Sequence, residues 1–169
     1  MRRLEAQRVG ARHQLVVALD GERYRDLLRR FREQLPLLGV GDRGRLAEVA
    51  GRELRRLLRA HAELGPEPAD TELHRLRIKA KRTRYAAELA AQGGGGKLAR
   101  VAEAAKALQD AIGVHQDAVV AEQRVRAVAG DAAIAAGRIV ELERSRRREV
   151  RAGLPKLWKK LDRAAAKAL

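Results

Sequence analysis

Apolar residues recur along this chain at three- and four-residue spacing, interrupted by glycine and proline at helix-length intervals, and no stretch alternates apolar and polar like a strand. The pattern predicts helices throughout. A first covers 2–19 and stops at Asp20 and Gly21; a second covers 22–35 and ends near Pro36. After a loop marked by Gly39, Gly41 and Gly44, a third over about 45–64 aligns Leu46, Ala50, Leu54, Leu57, His61 and Leu64 on one stripe. Gly65, Pro66 and Pro68 end it. A fourth spans 70–91, with Asp70 or Thr71 as its cap, and the run Gly93 to Gly96 forms a linker. A fifth spans 97–129, where Gly113 predicts a kink or short break. A sixth spans 131–152, and Gly153 and Pro155 then predict a stop and a restart with Leu157, Trp158 and Leu161 as the apolar face. The expected fold is all-α, an antiparallel bundle of long helices forming a single domain over 1–169.

The fourth helix carries the chemistry. Wound at about 100° per residue, it gathers Leu76, Ala80, Thr83, Ala87 and Ala90 into one arc, the seam expected to face the core. His74, Arg77, Lys81, Tyr85 and Glu88 line the other side, with Arg84 at its edge. Like charges one turn apart cost a few tenths of a kcal/mol per pair in an isolated helix, so the stripe favours a counter-anion, and its length suits a repeating anion better than one phosphate. Guanidinium forks onto phosphate oxygens, ammonium acts as a mobile point charge, and His74 or Tyr85 adds a donor. Glu88 is placed to hold Lys81, Arg84 or Tyr85. A solvated basic face accounts for the same spacing, so the winding leaves both readings open.

Charge sharpens the picture: 37 Lys and Arg against 22 Asp and Glu give a formal +15. The candidate anions are nucleic acid, an acidic membrane surface and free polyphosphate, and composition ranks none of them. Aromatic residues make up only 2% of the chain, so the core must be aliphatic; of the four aromatics only Tyr85 falls on the basic face, which weighs against base stacking. The absence of cysteine excludes disulfides and thiol catalysis within this chain. His13, His61, His74 and His115 lie on separate elements without metal-ligand spacing, so neither a metal site nor a cofactor is expected, and His61 is read as a core or interface histidine. Gly93 to Gly96 lacks the strand and the Lys-Ser/Thr ending of a phosphate loop. With no nucleophile or carboxylate cluster arranged for phosphate hydrolysis, no enzymatic activity is expected. Glu5, Arg8 and Arg12 interrupt any signal-like core and no segment approaches membrane-span length, so the default location is the cytoplasm.

The pattern His74-x-x-Arg77-x-x-x-Lys81-Arg82-x-Arg84-Tyr85-x-x-Glu88 resembles the signature helix of the CHAD family, the conserved-histidine α-helical domains. Leu108-Gln109-Asp110-Ala111-Ile112-Gly113, followed by Asp117, is similar to a second family segment, and Leu154 to Leu161 to its closing helix; Glu22-Arg23-Tyr24 to Leu28 resembles an earlier one. The resemblance implies an all-helical protein of two similar halves around a basic groove or pore that binds inorganic polyphosphate, alone or fused to a triphosphate-tunnel hydrolase domain. Only one His-x-x-Arg helix is present, so the chain resembles the C-terminal half, with a second CHAD half or a fused triphosphate-tunnel domain as expected partner. The implied polyphosphate ligands are His74, Arg77, Lys81, Arg82, Arg84 and Tyr85, with Arg8, Arg12, Lys106 and Gln109 as further candidates. Glu88 and Asp117 are expected as structural support, Asp117 by pairing with a basic residue of the signature helix. Arg146, Arg147 and Arg148 are spread around a helix by its winding and read as solvent-facing. The expected function is a non-catalytic polyphosphate-binding module of the cytoplasm, associated with polyphosphate granules, against the alternative of nonspecific nucleic-acid binding.

Overall fold

The computed structural model describes residues 2–34, 43–92, 96–129 and 132–169, and among them six helices and no strand. The chain divides into two compact units, Met1–Gly41 and Asp42–Leu169, where the sequence reads as one domain. Of the predicted loop and linker, Gly39, Gly41 and residues 93–95 lie outside the described residues.

The first unit pairs α1 (Arg2–Asp20) with α2 (Glu22–Gln34). The chain turns at Gly21, whose N–H donates to Ala18 O at 3.3 Å while its own carbonyl accepts from Tyr24 and Arg25. A Cβ there would stand 3.2 Å from the Ala18 carbonyl oxygen, so the turn needs glycine for close approach. Val16, Val17, Leu27 and Phe31 remain exposed, and no described side chain of this unit is buried. Among the described residues this unit shows no core of its own.

The second unit is a bundle of α3 (Arg43–Ala62), α4 (Asp70–Ala91), α5 (Gly96–Val128) and α6 (Ala133–Ala168). α4 packs between α3 and α5, and α5 packs on α6. The predicted seams are the observed ones: Ala50, Leu54 and Leu57 of α3 and Leu76, Ala80, Thr83 and Ala87 of α4 are buried, joined by Leu73. Thr83 is tolerated there because its hydroxyl donates to the Glu53 carbonyl, 3.1 Å away. His61 stacks on Trp158 with ring centroids 3.7 Å apart, the interface role its stripe position predicts.

Two predicted interruptions are absent. α5 runs unbroken through Gly113, and α6 continues through Gly153 and Pro155 for 36 residues. A proline inside a helix costs about 3 kcal/mol, yet ending the helix there would forfeit the seam of Leu154, Trp158 and Leu161, each worth roughly 1.5–3 kcal/mol on burial. Packing outweighs the local penalty, and Pro155 stands on the exposed side.

Asp70 does not cap α4 either. The helix starts after Ala69, whose N–H donates to the Glu72 carboxylate at 2.7 Å, and this leaves Asp70 free for longer-range contacts.

Candidate anion-binding face

α4 turns the flank beside its seam toward α5, and α5 answers with Lys106, Gln109 and Gly113, which share one face by their three- and four-residue spacing. Arg77 is the residue that joins the two. Its guanidinium lies against Gly113: a Cβ built there would stand 3.3 Å from Arg77 Nε and 3.7 Å from Nη2. Arg77 Nε and Gln109 Oε1 are both buried without a hydrogen-bond partner, a donor and an acceptor left over on the same seam.

Further along, Arg84 donates to Glu88 at 2.7 Å, and Lys106 pairs with Asp110 at 2.6 Å. The hydrogen bond to Glu88, with Asp110 and Tyr85 adding, holds the Arg84 guanidinium above its ordinary value. Lys81 and Arg84 both approach the Tyr85 ring, at 5.7 and 5.3 Å from its centroid. A shallow cavity of about 380 Å³ lies between Glu88 and Lys106 at this end of the seam. His74, Lys81 and Tyr85 are exposed, and Arg77 and Arg84 are half-buried.

The structure thus brings His74, Arg77, Lys81, Arg84, Tyr85, Lys106 and Gln109 to the α4–α5 face, and it neutralises two of them. Arg84 and Lys106 are committed to carboxylates, whereas Arg77 and Lys81 enter no ion pair among the described residues. Arg82 does not join this group. It follows Lys81 by one residue, about 100° around the helix, on the side that carries Ile78 and Leu89. Glu88 supports Arg84 as expected, but Asp117 is exposed and forms no ion pair among the described residues; Asp110 is the α5 carboxylate that neighbours Arg84. Arg8 and Arg12 belong to α1 in the first unit, where Arg8 pairs with Glu5.

A second cluster lies outside the residues that the sequence pattern singles out. Asp70, at the start of α4, receives Arg151 Nη2 at 2.8 Å and Arg147 Nη1 at 3.3 Å from α6. Arg151 also donates to the Pro68 carbonyl at 2.8 Å and, through Nε, to His115 Nε2 at 3.1 Å. Arg147 reaches on to Glu122 at 2.6 Å, and Glu122 also accepts from Arg126 and Arg144. Those hydrogen bonds, Arg126 foremost, hold the Glu122 carboxyl below its usual range against the effect of burial. Burial, seconded by Arg151, lowers the His115 pKa, so the imidazole is neutral and accepts. Arg147 is therefore half-buried and structural, which corrects its reading as a solvent-facing residue. A signal was present in the sequence: Leu108, Ile112, His115, Val119 and Glu122 follow one helical stripe, placing a histidine and a carboxylate in line with core residues.

A wider cleft than the one beside Lys106, about 860 Å³, opens elsewhere, between the α3–α4 loop and α6, where His61, Pro66, Leu154 and Trp158 line it. Its charges balance, Arg151 and Lys159 against Glu67 and Asp162, so it offers an anion no net attraction. Among the described residues no group of three His, Cys, Asp or Glu side chains is placed to hold a metal ion, and no helix is long and apolar enough to cross a membrane.

Fold and face together define a basic, all-α protein whose cationic helix packs side-on in a bundle. The CHAD domain family matches residues 1–126 of the 169, and the chain belongs to that family. The matched stretch includes α4 with its basic face and the Leu108 to Gly113 segment, and it ends before Leu154 to Leu161. No curated protein and no solved structure matched the chain.

Proposed function

We propose that this protein binds inorganic polyphosphate along the α4–α5 face and does so without catalysing its hydrolysis. The observation that carries the reading is the pair Arg77 and Lys81: one turn apart, beside the buried seam, and without carboxylate partners among the described residues. Membership of the CHAD family, with its polyphosphate association, supports the choice of anion. The carboxylates on this face, Glu88 and Asp110, are each tied to a cation rather than gathered to hold a catalytic metal. Association with a second CHAD half or a fused triphosphate-tunnel domain, and location at cytoplasmic polyphosphate granules, belong to the same proposal. Nonspecific nucleic-acid binding is the rival, and the single exposed aromatic on the face, Tyr85, gives bases little to stack on.

The test is a titration with polyphosphate and with single- and double-stranded nucleic acid of matched charge. Replacing Arg77 and Lys81 together by Gln deletes two donors without opening the core. Each charge-assisted hydrogen bond is worth about 1.5–3 kcal/mol, so polyphosphate affinity should fall by about two to four powers of ten. The control replaces Lys156 and Arg163, both exposed on α6, and should leave affinity nearly unchanged. Equal losses from the two double variants would show that net charge alone does the binding. Tighter binding of nucleic acid than of polyphosphate would favour the rival.

A further inference from the structure

Gly113 occupies the middle of a 33-residue helix, a position where glycine costs up to about 1 kcal/mol relative to alanine. Neither usual reason for a mid-helix glycine applies: α5 does not break there, and the backbone is helical. What stands where a side chain would be is the Arg77 guanidinium, with Nε at 3.3 Å, Nη2 at 3.7 Å and Cζ at 3.9 Å from a Cβ built on the glycine. A contact of 3.3 Å is too short for carbon against nitrogen without movement. Arg77 Nε is also buried and unpartnered, so its N–H is turned into the seam rather than toward water.

From this geometry we infer that Gly113 is a positioning residue for anion binding: its bare Cα is the seat against which the Nε–Nη2 edge of Arg77 rests. The inference rests on the polyphosphate reading and assigns its helical glycine a part in it. An arginine projecting freely from α4 would share its donors among many rotamers and lose that freedom on binding. Held against Gly113 by that edge, the guanidinium has one orientation, and its outward Nη donors are fixed before the anion arrives. Alanine at 113 makes the guanidinium give by a few tenths of an ångström, whereas a bulky side chain lifts it off α5 and returns Arg77 to the solvated ensemble.

The experiment measures polyphosphate affinity and thermal melting for wild type, Gly113→Ala, Gly113→Leu, Arg77→Gln and the two double variants that combine a Gly113 substitution with Arg77→Gln. Gly113→Ala should melt cooperatively at or above the wild-type temperature, because Ala is the better helix former; Gly113→Leu, which overpacks a buried position, should melt lower but still cooperatively. Gly113→Leu should nonetheless weaken polyphosphate binding toward the loss given by Arg77→Gln, about 10- to 100-fold, with Gly113→Ala between. In the Arg77→Gln background neither substitution should weaken binding further. If Gly113→Leu binds like wild type while Arg77→Gln binds poorly, the seat is refuted and the polyphosphate reading stands. A further loss from Gly113→Leu in the Arg77→Gln background would overturn the inference as well, since the glycine would then act independently of Arg77. If wild type fails to bind polyphosphate, the functional reading itself falls.

Discussion

Protonating His115 would set a third positive charge beside Arg147 and Arg151 and remove the lone pair that Arg151 Nε uses. The groups around it are Asp70 from α4, Arg147 and Arg151 from α6, and Glu122 further along α5. Asp70, 3.4 Å from Nε2, favours the cation, but burial and the two arginines outweigh it, so the folded-state pKa lies below the ordinary histidine value. The sign for stability follows: above pH 6.5 both folded and unfolded chains hold a neutral His115, and its full contribution is present. As pH falls below 6.5 the unfolded chain takes up a proton that the folded one refuses, and stability drops until the folded pKa is passed. Each pH unit within that window costs at most about 1.4 kcal/mol per histidine. His61, lowered by burial, acts in the same sense. The melting temperature should therefore fall between pH 7.5 and 5.5, and His115→Gln, which still offers Arg151 an acceptor, should flatten the dependence. An unchanged slope in that variant would assign the effect to His61 alone.

At the scale of elements, the unbroken α6 makes its own prediction. Pro155 leaves the Arg151 carbonyl without its intrahelical donor and stands on the exposed side, so Pro155→Ala should stabilise the protein by about 1–3 kcal/mol once the proline's restraint on the unfolded chain is deducted. Equilibrium denaturation would measure it, and a loss of stability would mean that α6 needs the proline for a bend. Helix positions and inward faces were legible because burial follows the 3.6-residue period, as Leu54, Leu57, Leu76, Ala80 and Ala87 show. What misled was local chemistry overruled by tertiary contact. Gly113 and Pro155 carry breaker chemistry, but the neighbours that decide their fate, Arg77 for the one and the Leu154–Trp158–Leu161 seam for the other, are set by packing. Asp70 has the chemistry of a cap, and two arginines 77 and 81 residues away claim it instead. Of the candidate site, the α4 stripe was readable from one helix. The α5 carboxylate placed beside Arg84, Asp110 rather than Asp117, depended on how the two helices align, which no single-helix pattern contains.

At the scale of the molecule, the two units differ in what holds them. The α3–α6 bundle has a continuous aliphatic core, while α1 and α2 bury no described side chain, and the family match extends across both. The formal charge of +15 belongs to the whole chain, but the structure withdraws part of it from circulation: Glu122 alone engages Arg126, Arg144 and Arg147, Asp70 holds Arg151, and Glu88 and Asp110 occupy Arg84 and Lys106. A cation already neutralised by a protein carboxylate displaces no small ions from a polyanion. Counterion release should therefore count the unpaired cations of one face rather than the sum over the sequence. In a plot of log affinity against log salt, the slope should be about −1.4 to −1.8, the mark of two phosphates neutralised at about 0.7–0.9 each, whereas engagement of the whole surplus would give a slope steeper than about −10. A steep slope would mean that the polymer wraps the protein as a diffuse cloud, and the ion pairs would then be spectators rather than the reason this strongly basic chain presents so narrow a charge to its ligand.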